Sequence, residues 1–499
     1  MRQKDQVWWV SATVISLAAF SFFAGSGMRG LFTQLGAARE DTAKYPKLAS
    51  AAPGRLASEV DLKPAELYDE VLRKLRLYYV ERLPADTTLA YGSVEAMLNS
   101  LNDPNSRLVS KAEMEALRGA TVGEYQGLGA VITIRRYANL KGTEAAVAAA
   151  DDEDAPSKKD KPTPIGARMV TVVSVAPGSP AEKAGLQAGD RITEVDGHWI
   201  APMHVSYRLL TQLTDDVGLQ DGPPREKDEL PAVEGTPEER AKQRKEADEA
   251  RAKWKTSTDL ASAMELLNGP FTGEHELTIE RGKPSKTVKV KVTAAGGSAP
   301  AFSSRKIDAS TGYVRIRAFN GDTPREVAEA VSELSKQGVR NLVVDLRQSA
   351  GGSREAARDV AGSLLGDVKF AVLKERDPDR KLVERALMAK GGQGAVKPVG
   401  VSVLVDGGTA GVSELLAAAL RDHAGAKLIG TGTFGDGTEQ ELIRLENGAG
   451  VSITRAKMLT SKGVDFDGKG LQPDVTPTGD ALEVAVKALS APGTARTSR

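Results

Sequence analysis

Between Asn341 and His423 the chain alternates unbroken apolar runs with glycine-rich turns. Asn341 to Leu346 and Val401 to Val405 read as buried strands, since short continuous apolar stretches bounded by turn signals suit a covered sheet. Residues 412–423 are rich in Ala and Leu and follow directly on a glycine-rich turn, which predicts a helix. Upstream, Tyr313 to Ile316 is a third strand. Thr323-Pro324-Arg325-Glu326 predicts a capping box opening a helix, with Val327, Val331 and Leu334 inward and Gly338 as its stop. This part of the chain is therefore an α/β core.

The 499 residues suffice for two or three domains, each with its own core. Lys and Arg total 67, as do Asp and Glu, so no global field favours nucleic acid. The absence of cysteine excludes disulfides and thiol catalysis and leaves the compartment open. Arg2 and Lys4 precede an uncharged run from Val7 to Gly27 that opens with Trp8 and Trp9. That length lies between a signal-peptide core and a membrane span, and the Trp pair suits an interface. Residues 1–29 are thus a signal anchor or a signal peptide cleaved near Ala24-Gly25-Ser26. Either reading places the rest outside the cytoplasm, in a periplasm or cell envelope, with residues 7–27 as the tether to the inner membrane.

Residues 30–62 read as a tether and 63–120 as a helical N-terminal domain. The stripe Leu67, Val71, Leu75, Tyr78 marks its first helix, and Val94 to Leu101 marks a second. Residues 121–296 alternate short strand-like runs with turns, among them Met169–Val175, Asp190–Val195 and Glu276–Arg281. Polar insertions at 137–165 and 221–256 interrupt them. The first carries Asp151-Asp152-Glu153-Asp154, and neither has the apolar content to bury a core. Residues 297–490 hold the α/β core, and 491–499 read as a disordered tail.

Val173 to Gly197 reads VSVAPGSPAEKAGLQAGDRITEVDG, and Gly127-Leu128-Gly129-Ala130 precedes a strand-like run. These strings resemble the PDZ domains of exported proteases. The resemblance implies that residues 127–130 offer amides to a peptide carboxylate while an edge strand pairs with the peptide backbone. It also implies a groove helix at Asp259–Leu267 with Leu260, Ala263 and Leu267 on its apolar side. A groove filled by the chain itself is the competing structural reading.

Three further strings complete the pattern: Asp345-Leu346-Arg347-Gln348-Ser349-Ala350-Gly351-Gly352, Gly408-Thr409-Ala410-Gly411-Val412-Ser413-Glu414, and Thr433-Phe434-Gly435-Asp436-Gly437-Thr438-Glu439-Gln440. With the closing Gly470-Leu471-Gln472-Pro473-Asp474-Val475, they resemble the carboxyl-terminal processing (tail-specific) serine peptidases from about Pro64 to Val475. The implied fold is a multidomain α+β protein: anchor or signal, helical prelude, PDZ β-sandwich-like module with insertions, and an α/β tail-specific-protease core.

In that family the middle string is typically S-A-S-A-S-E and the third T-F-G-K-G-x-V-Q. The resemblance therefore puts Gly411 on the nucleophile and Asp436 on the lysine base, with Gln440 retained and Glu439 in an apolar position. Ser349-Ala350 stand where Asn-Pro is usual. Gly351, Gly352 and the Val412 amide are the implied oxyanion donors. Acyl transfer needs an attacking atom and a base, so the expected function is capture of protein C-termini or unfolded tails without cleavage. Homo-oligomers or mixed oligomers with an active relative are the expected assemblies. An active peptidase that uses Thr409 or Ser413 as a non-standard nucleophile, with Lys427 or Lys462 as base, is the alternative, and a structural envelope platform is a third. His198, His204, His275 and His423 show no ligand spacing, so no metal and no cofactor is expected.

Overall fold

A computed structural model describes residues 64–78, 86–101, parts of 103–137, 167–200, parts of 257–282 and, apart from a few positions, 284–490. The expected anchor (1–29), tether (30–62), most of both insertions and the tail (491–499) lie outside the described residues. Among the described residues no helix is long and apolar enough to cross a membrane.

The described residues fall into two compact units, one holding Pro64–Tyr78 and the start of the next helix, the other residues 93–204 and 252–499. In the first, the helix Pro64–Tyr78 leaves Val71 and Tyr78 of its apolar stripe exposed and Leu75 half-buried. The second helix runs over Asp86–Ser100, beginning earlier than the apolar spacing from Val94 indicated.

In the larger unit, five antiparallel strands form a sheet in the order Ala130–Tyr137, Ala167–Val175, Arg191–Val195, Glu274–Arg281, Lys286–Thr293, with His198–Trp199 added to the third. Alternate residues Val170, Val172, Ile192, Leu277 and Ile279 are fully buried, as period-two patterning with one covered face requires. The short helix Pro180–Lys183 is capped by Ser179, whose hydroxyl accepts the Glu182 amide at 3.1 Å. A buried Asp190 takes a two-pronged ion pair from Arg281, both contacts at 2.6 Å, which fastens the turn Gly189-Asp190 to the far strand.

The core sheet runs Phe302–Lys306, Thr311–Ile316, Asn341–Asp345, Gly400–Val405, Lys427–Gly430, the first pair antiparallel and the rest parallel. Its apolar runs are continuous because helices cover both faces. Val314, Val344 and Val403 meet the layer built by Thr323–Lys336, Arg354–Leu365 and Val412–Ala424. Tyr313, Val343 and Leu404 meet the helix Ala481–Ser490. A second, antiparallel sheet joins Arg107–Val109, Gly450–Thr460, Val368–Arg376 and Leu382–Ala389, with Thr438–Arg444 also on Gly450–Thr460.

The expected capping box does not form. Thr323 is already helical, and Asn320 supplies the cap instead: its Oδ1 accepts the amides of Asp322 at 3.0 Å and Thr323 at 3.1 Å. An Asn side chain three residues ahead reaches the free amides more directly than Glu326 could reach back. Val327, Val331 and Leu334 are buried, and Gly338 adopts φ +86° past the helix end, as expected.

Gly430 sits at φ +139° opposite Val405, and a Cβ there would run into the Val405 carbonyl oxygen, which accepts the Thr431 amide. Gly430→Ala therefore combines forbidden backbone with a clash at the end of a core strand. It should destabilise by about 3 kcal/mol, read as a lowered urea midpoint with unchanged m-value. A midpoint equal to the native one would contradict this packing.

Candidate active site

Gly411 ends the turn that follows Gly400–Val405 and holds the cap position of Val412–Ala424. Its φ of 60° and ψ of −124° is a conformation that costs an L side chain roughly 1–3 kcal/mol. A Cβ built there would meet one atom within 4 Å, the Asp436 Oδ2 at 3.8 Å. The two positions singled out in the sequence thus face each other across an unfilled space.

Glu414 fixes that geometry. Its fully buried carboxylate accepts the amides of Gly411 at 3.0 Å and Asp436 at 2.9 Å through Oε2. Through Oε1 it accepts the Gly435 amide at 2.8 Å and the Thr433 hydroxyl. Burial pushes its pKa up to about 7, against the pull of these bonds. One side chain therefore ties the loop carrying Gly411 to the loop carrying Asp436.

Asp436 is densely surrounded but keeps a little solvent exposure. Burial, then the neighbouring Asp467 carboxylate, pushes its pKa up to about 6, while Thr438 and the Arg135 charge oppose the rise. Thr438 donates to Asp436 Oδ1 at 3.2 Å and accepts from Gln440 Nε2 at 2.8 Å and Asn105 Nδ2 at 3.2 Å. Gln440 thus supports position 436 through a hydroxyl relay. Arg135, from the strand Ala130–Tyr137, lies over the Phe434 ring with its guanidinium carbon 4.5 Å from the centroid and donates to the Gly468 carbonyl at 2.9 Å. Val173 also packs against Phe434 and Ala410.

The glycines of these strings permit close backbone approach. A Cβ on Gly435 would lie 2.5 Å from the Gly470 amide, and one on Gly437 2.6 Å from Asp467 Cβ. Gly352, at φ +132°, lies against the Phe319 backbone, whose amide donates to the Gly351 carbonyl at 3.0 Å. The Val412 nitrogen lies 3.7 Å from the point where a Gly351 Cβ would sit, so these two oxyanion candidates are neighbours.

The alternative nucleophiles are held elsewhere. The fully buried Thr409 hydroxyl donates to the Leu346 carbonyl at 2.8 Å and accepts the Asp406 amide at 3.0 Å. Ser413 lies in the helix's first turn, its buried hydroxyl paired with that of Ser349 at 2.8 Å. Lys462 pairs with Asp422 at 3.0 Å, about 16 Å further along the helix from Gly411. Lys427 is exposed at the opposite, N-terminal end of its parallel strand.

In the smaller sheet, Gly127 and Gly129 adopt φ +72° and +67°. The carbonyls of Gly127, Leu128 and Gly129 accept the amides of Ala295, Ala181 and Ala176, and Ala130 opens the edge strand. Gly129 is buried against Ser179 and the Tyr125 ring. Leu260, Ala263 and Leu267, expected along a groove, are all buried. These side chains are in the sheet's core, because the helical stripe i, i+3, i+7 turns toward the strands; Leu266 is on the exposed side.

Residues 310–476 match the Peptidase family S41 domain and residues 171–212 a PDZ domain. The chloroplastic C-terminal processing peptidase of Tetradesmus obliquus is 29% identical over 405 residues, spanning 81% of this chain and 71% of that protein. The carboxyl-terminal-processing protease of a Synechocystis species is 27% identical over 400 residues, 80% of this chain and 74% of that protein. Among solved structures, a photosystem II D1 C-terminal processing protease matches with a TM-score of 0.53 and 27% identity, covering 85% of this chain and 92% of that one.

Glu414 and Asp436 both hold protons when folded at pH values where the unfolded chain, near 4.5 and 3.8, has released them. Their contribution to stability therefore grows as pH falls through 7 toward 4, and is lost on alkalinisation. Glu414→Gln loses this dependence and sets an amide NH₂ against backbone N–H groups, costing ~1–3 kcal/mol. The stability gap between native and variant should widen between about pH 8 and about pH 5.5. Urea unfolding at both values that gives a constant gap would refute the coupling.

Proposed function

We propose that this chain, which carries a family S41 peptidase domain behind a PDZ domain and whose homologues are C-terminal processing proteases, is a pseudopeptidase. It holds protein C-termini or unfolded tails and does not cut them. The observation that carries the reading is the pairing of a side-chain-free position 411 with a carboxylate at 436, inside a backbone frame that Glu414 keeps in register. Glycine offers no attacking atom. Asp436, with a pKa of about 6, is largely anionic at neutral pH and opposes the negative charge that develops on an acyl-transfer oxyanion. Loss of a nucleophile and its base costs on the order of 10⁶ in turnover in a serine hydrolase.

No hydroxyl in the surroundings takes over the role. Thr409 and Ser413 are both buried, in bonds to a carbonyl and to Ser349, and neither has a hydrogen bond to an amine among the described residues. Binding draws on the strand Ala130–Tyr137, which among the described residues ends its sheet and offers an edge for backbone pairing with a captured segment. Its Arg135 extends the contact to Phe434 beside the vacancy. The N-terminal run 7–27 places this activity outside the cytoplasm, at the inner membrane, alone or in assemblies with an active relative.

Restoration is the test. Gly411→Ser with Asp436→Lys returns an oxygen and an amine to facing positions, with room for the new Cβ. The double variant should label with a serine-reactive fluorophosphonate and cleave a tagged tail substrate, whereas the native chain does neither. Labelling of the purified native chain that persists after contaminating proteases are removed, and disappears in Ser413→Ala or Thr409→Ala, would overturn the assignment.

A further inference from the structure

Strand alternation puts Tyr313 and Arg315 on one side of the core sheet, the side that Ala481–Ser490 covers at Tyr313, and Arg317 stands in the bend just past the strand's end at Ile316. Asp345 stands opposite Arg315 in register, but its carboxylate is already engaged. Arg347 donates to it through Nε at 2.9 Å and Nη2 at 2.6 Å, and the Tyr313 hydroxyl at 2.7 Å. Arg315 has no hydrogen bond or ion pair among the described residues, and its Nε is buried without an acceptor. The Nε of Arg317 is likewise buried and unbonded; this side chain reaches the Pro300 carbonyl through Nη1 at 3.1 Å.

These two cations lie in each other's field. Burial, then the charge of Arg315, holds the Arg317 guanidinium below its usual pKa. The carboxylates that oppose this are Asp345, already committed, and Glu182, which is exposed and accepts the Gly178 amide. Arg191 makes the contrast: its Nε is also unbonded, yet Glu280 neutralises it at 2.9 Å. Buried donors without acceptors are rare, and a pair of them on adjacent like charges calls for an anion.

We propose that Arg315 and Arg317 form a receptor for a carboxylate, supplied by the free C-terminus of a captured polypeptide. The identity of the ligand rests on the tail-binding reading above; the receptor does not. A carboxylate presents two coplanar oxygens, which match the N–H pairs along a guanidinium edge. The location suits a tail in the vacated cleft. Arg317 precedes by two residues, about 7 Å of extended chain, the Phe319 that bonds Gly351 and Ser353. In the loop expected to take a terminal carboxylate, Gly127–Ala130, Gly129 is covered by Tyr125 and Ser179.

The test uses the full chain and a fluorescein-labelled peptide ending in Ala-Ala, as free acid and as C-terminal amide. In anisotropy titrations the acid should bind about tenfold more tightly than the amide, and Arg315→Gln or Arg317→Gln should erase that difference. Separately, sodium acetate should raise the native melting midpoint above that in sodium chloride of equal ionic strength, and leave the variants unmoved. Without added anion the variants should melt at or above the native midpoint, since each removes an uncompensated charge; this also shows that they fold. Failure of both peptides to bind, with the acetate effect intact, refutes tail capture and keeps the carboxylate receptor. An acid–amide difference that survives in both variants, or the lack of any acetate effect, overturns the receptor. Stabilisation by inorganic phosphate at lower concentration than acetate overturns its assignment to carboxylate.

Discussion

The carboxylate of Glu414 is the point at which two loops, one after a core strand and one before the second sheet, become a single rigid frame. It accepts three backbone amides and a hydroxyl while fully buried, and among the described residues no cation pairs with it. Hydrogen bonds to an ionised acceptor offset part of the desolvation cost, and the pKa of about 7 shows that they do not offset all of it. A glutamate is required because every partner is a donor; an amide in its place would present N–H to N–H. The frame therefore depends on a strained charge, and its persistence around an unfilled position 411 points to a use for the shape.

Glycine at 411 affects the local energetics as well as the chemistry. With φ near +60°, an L residue there carries backbone strain that glycine does not. Strain of that kind is worth keeping only when the side chain reacts. At position 436 an acid stands beside another acid, Asp467, which helps to raise its pKa. The relay from Asn105 and Gln440 through Thr438 orients this carboxylate as firmly as it would have oriented an amine.

What the sequence made legible follows from how local the cause is. The glycines at 351, 352, 411, 435 and 470 stood out, and the structure explains most of them by positive φ or by backbone that approaches too closely for a Cβ. The core strands were legible because they are apolar throughout. The antiparallel strands Val368–Arg376, Leu382–Ala389, Thr438–Arg444 and Gly450–Thr460 were not, since charged residues such as Lys374, Glu384 and Arg385 occupy both exposed and paired positions along them. Arg135 was invisible as a site residue because nothing local in Ala130–Tyr137 announces a partner some three hundred positions away at Phe434. Glu414 could have been found: an acid three residues into a helix after a glycine turn is the reaching half of a capping box. Leu260, Ala263 and Leu267 were legible as one apolar stripe, but such a stripe looks the same whether it lines a groove or closes a core.

Charge then separates the two sides of the emptied cleft. Near position 411 stand Glu414, Asp436 and Asp467, which disfavour any carboxylate brought against them. Across the chain segment that carries Phe319 and the glycine pair stand Arg315, Arg317 and Arg347, of which Arg347 alone is neutralised at close range. A polypeptide laid between these fields has one favourable direction, its anionic end toward the arginines and its backbone carbonyls toward the Gly351 and Val412 amides. In an active enzyme a positive base at 436 would weaken that gradient. An aspartate there steepens it, and so favours one orientation of a chain bound as proposed.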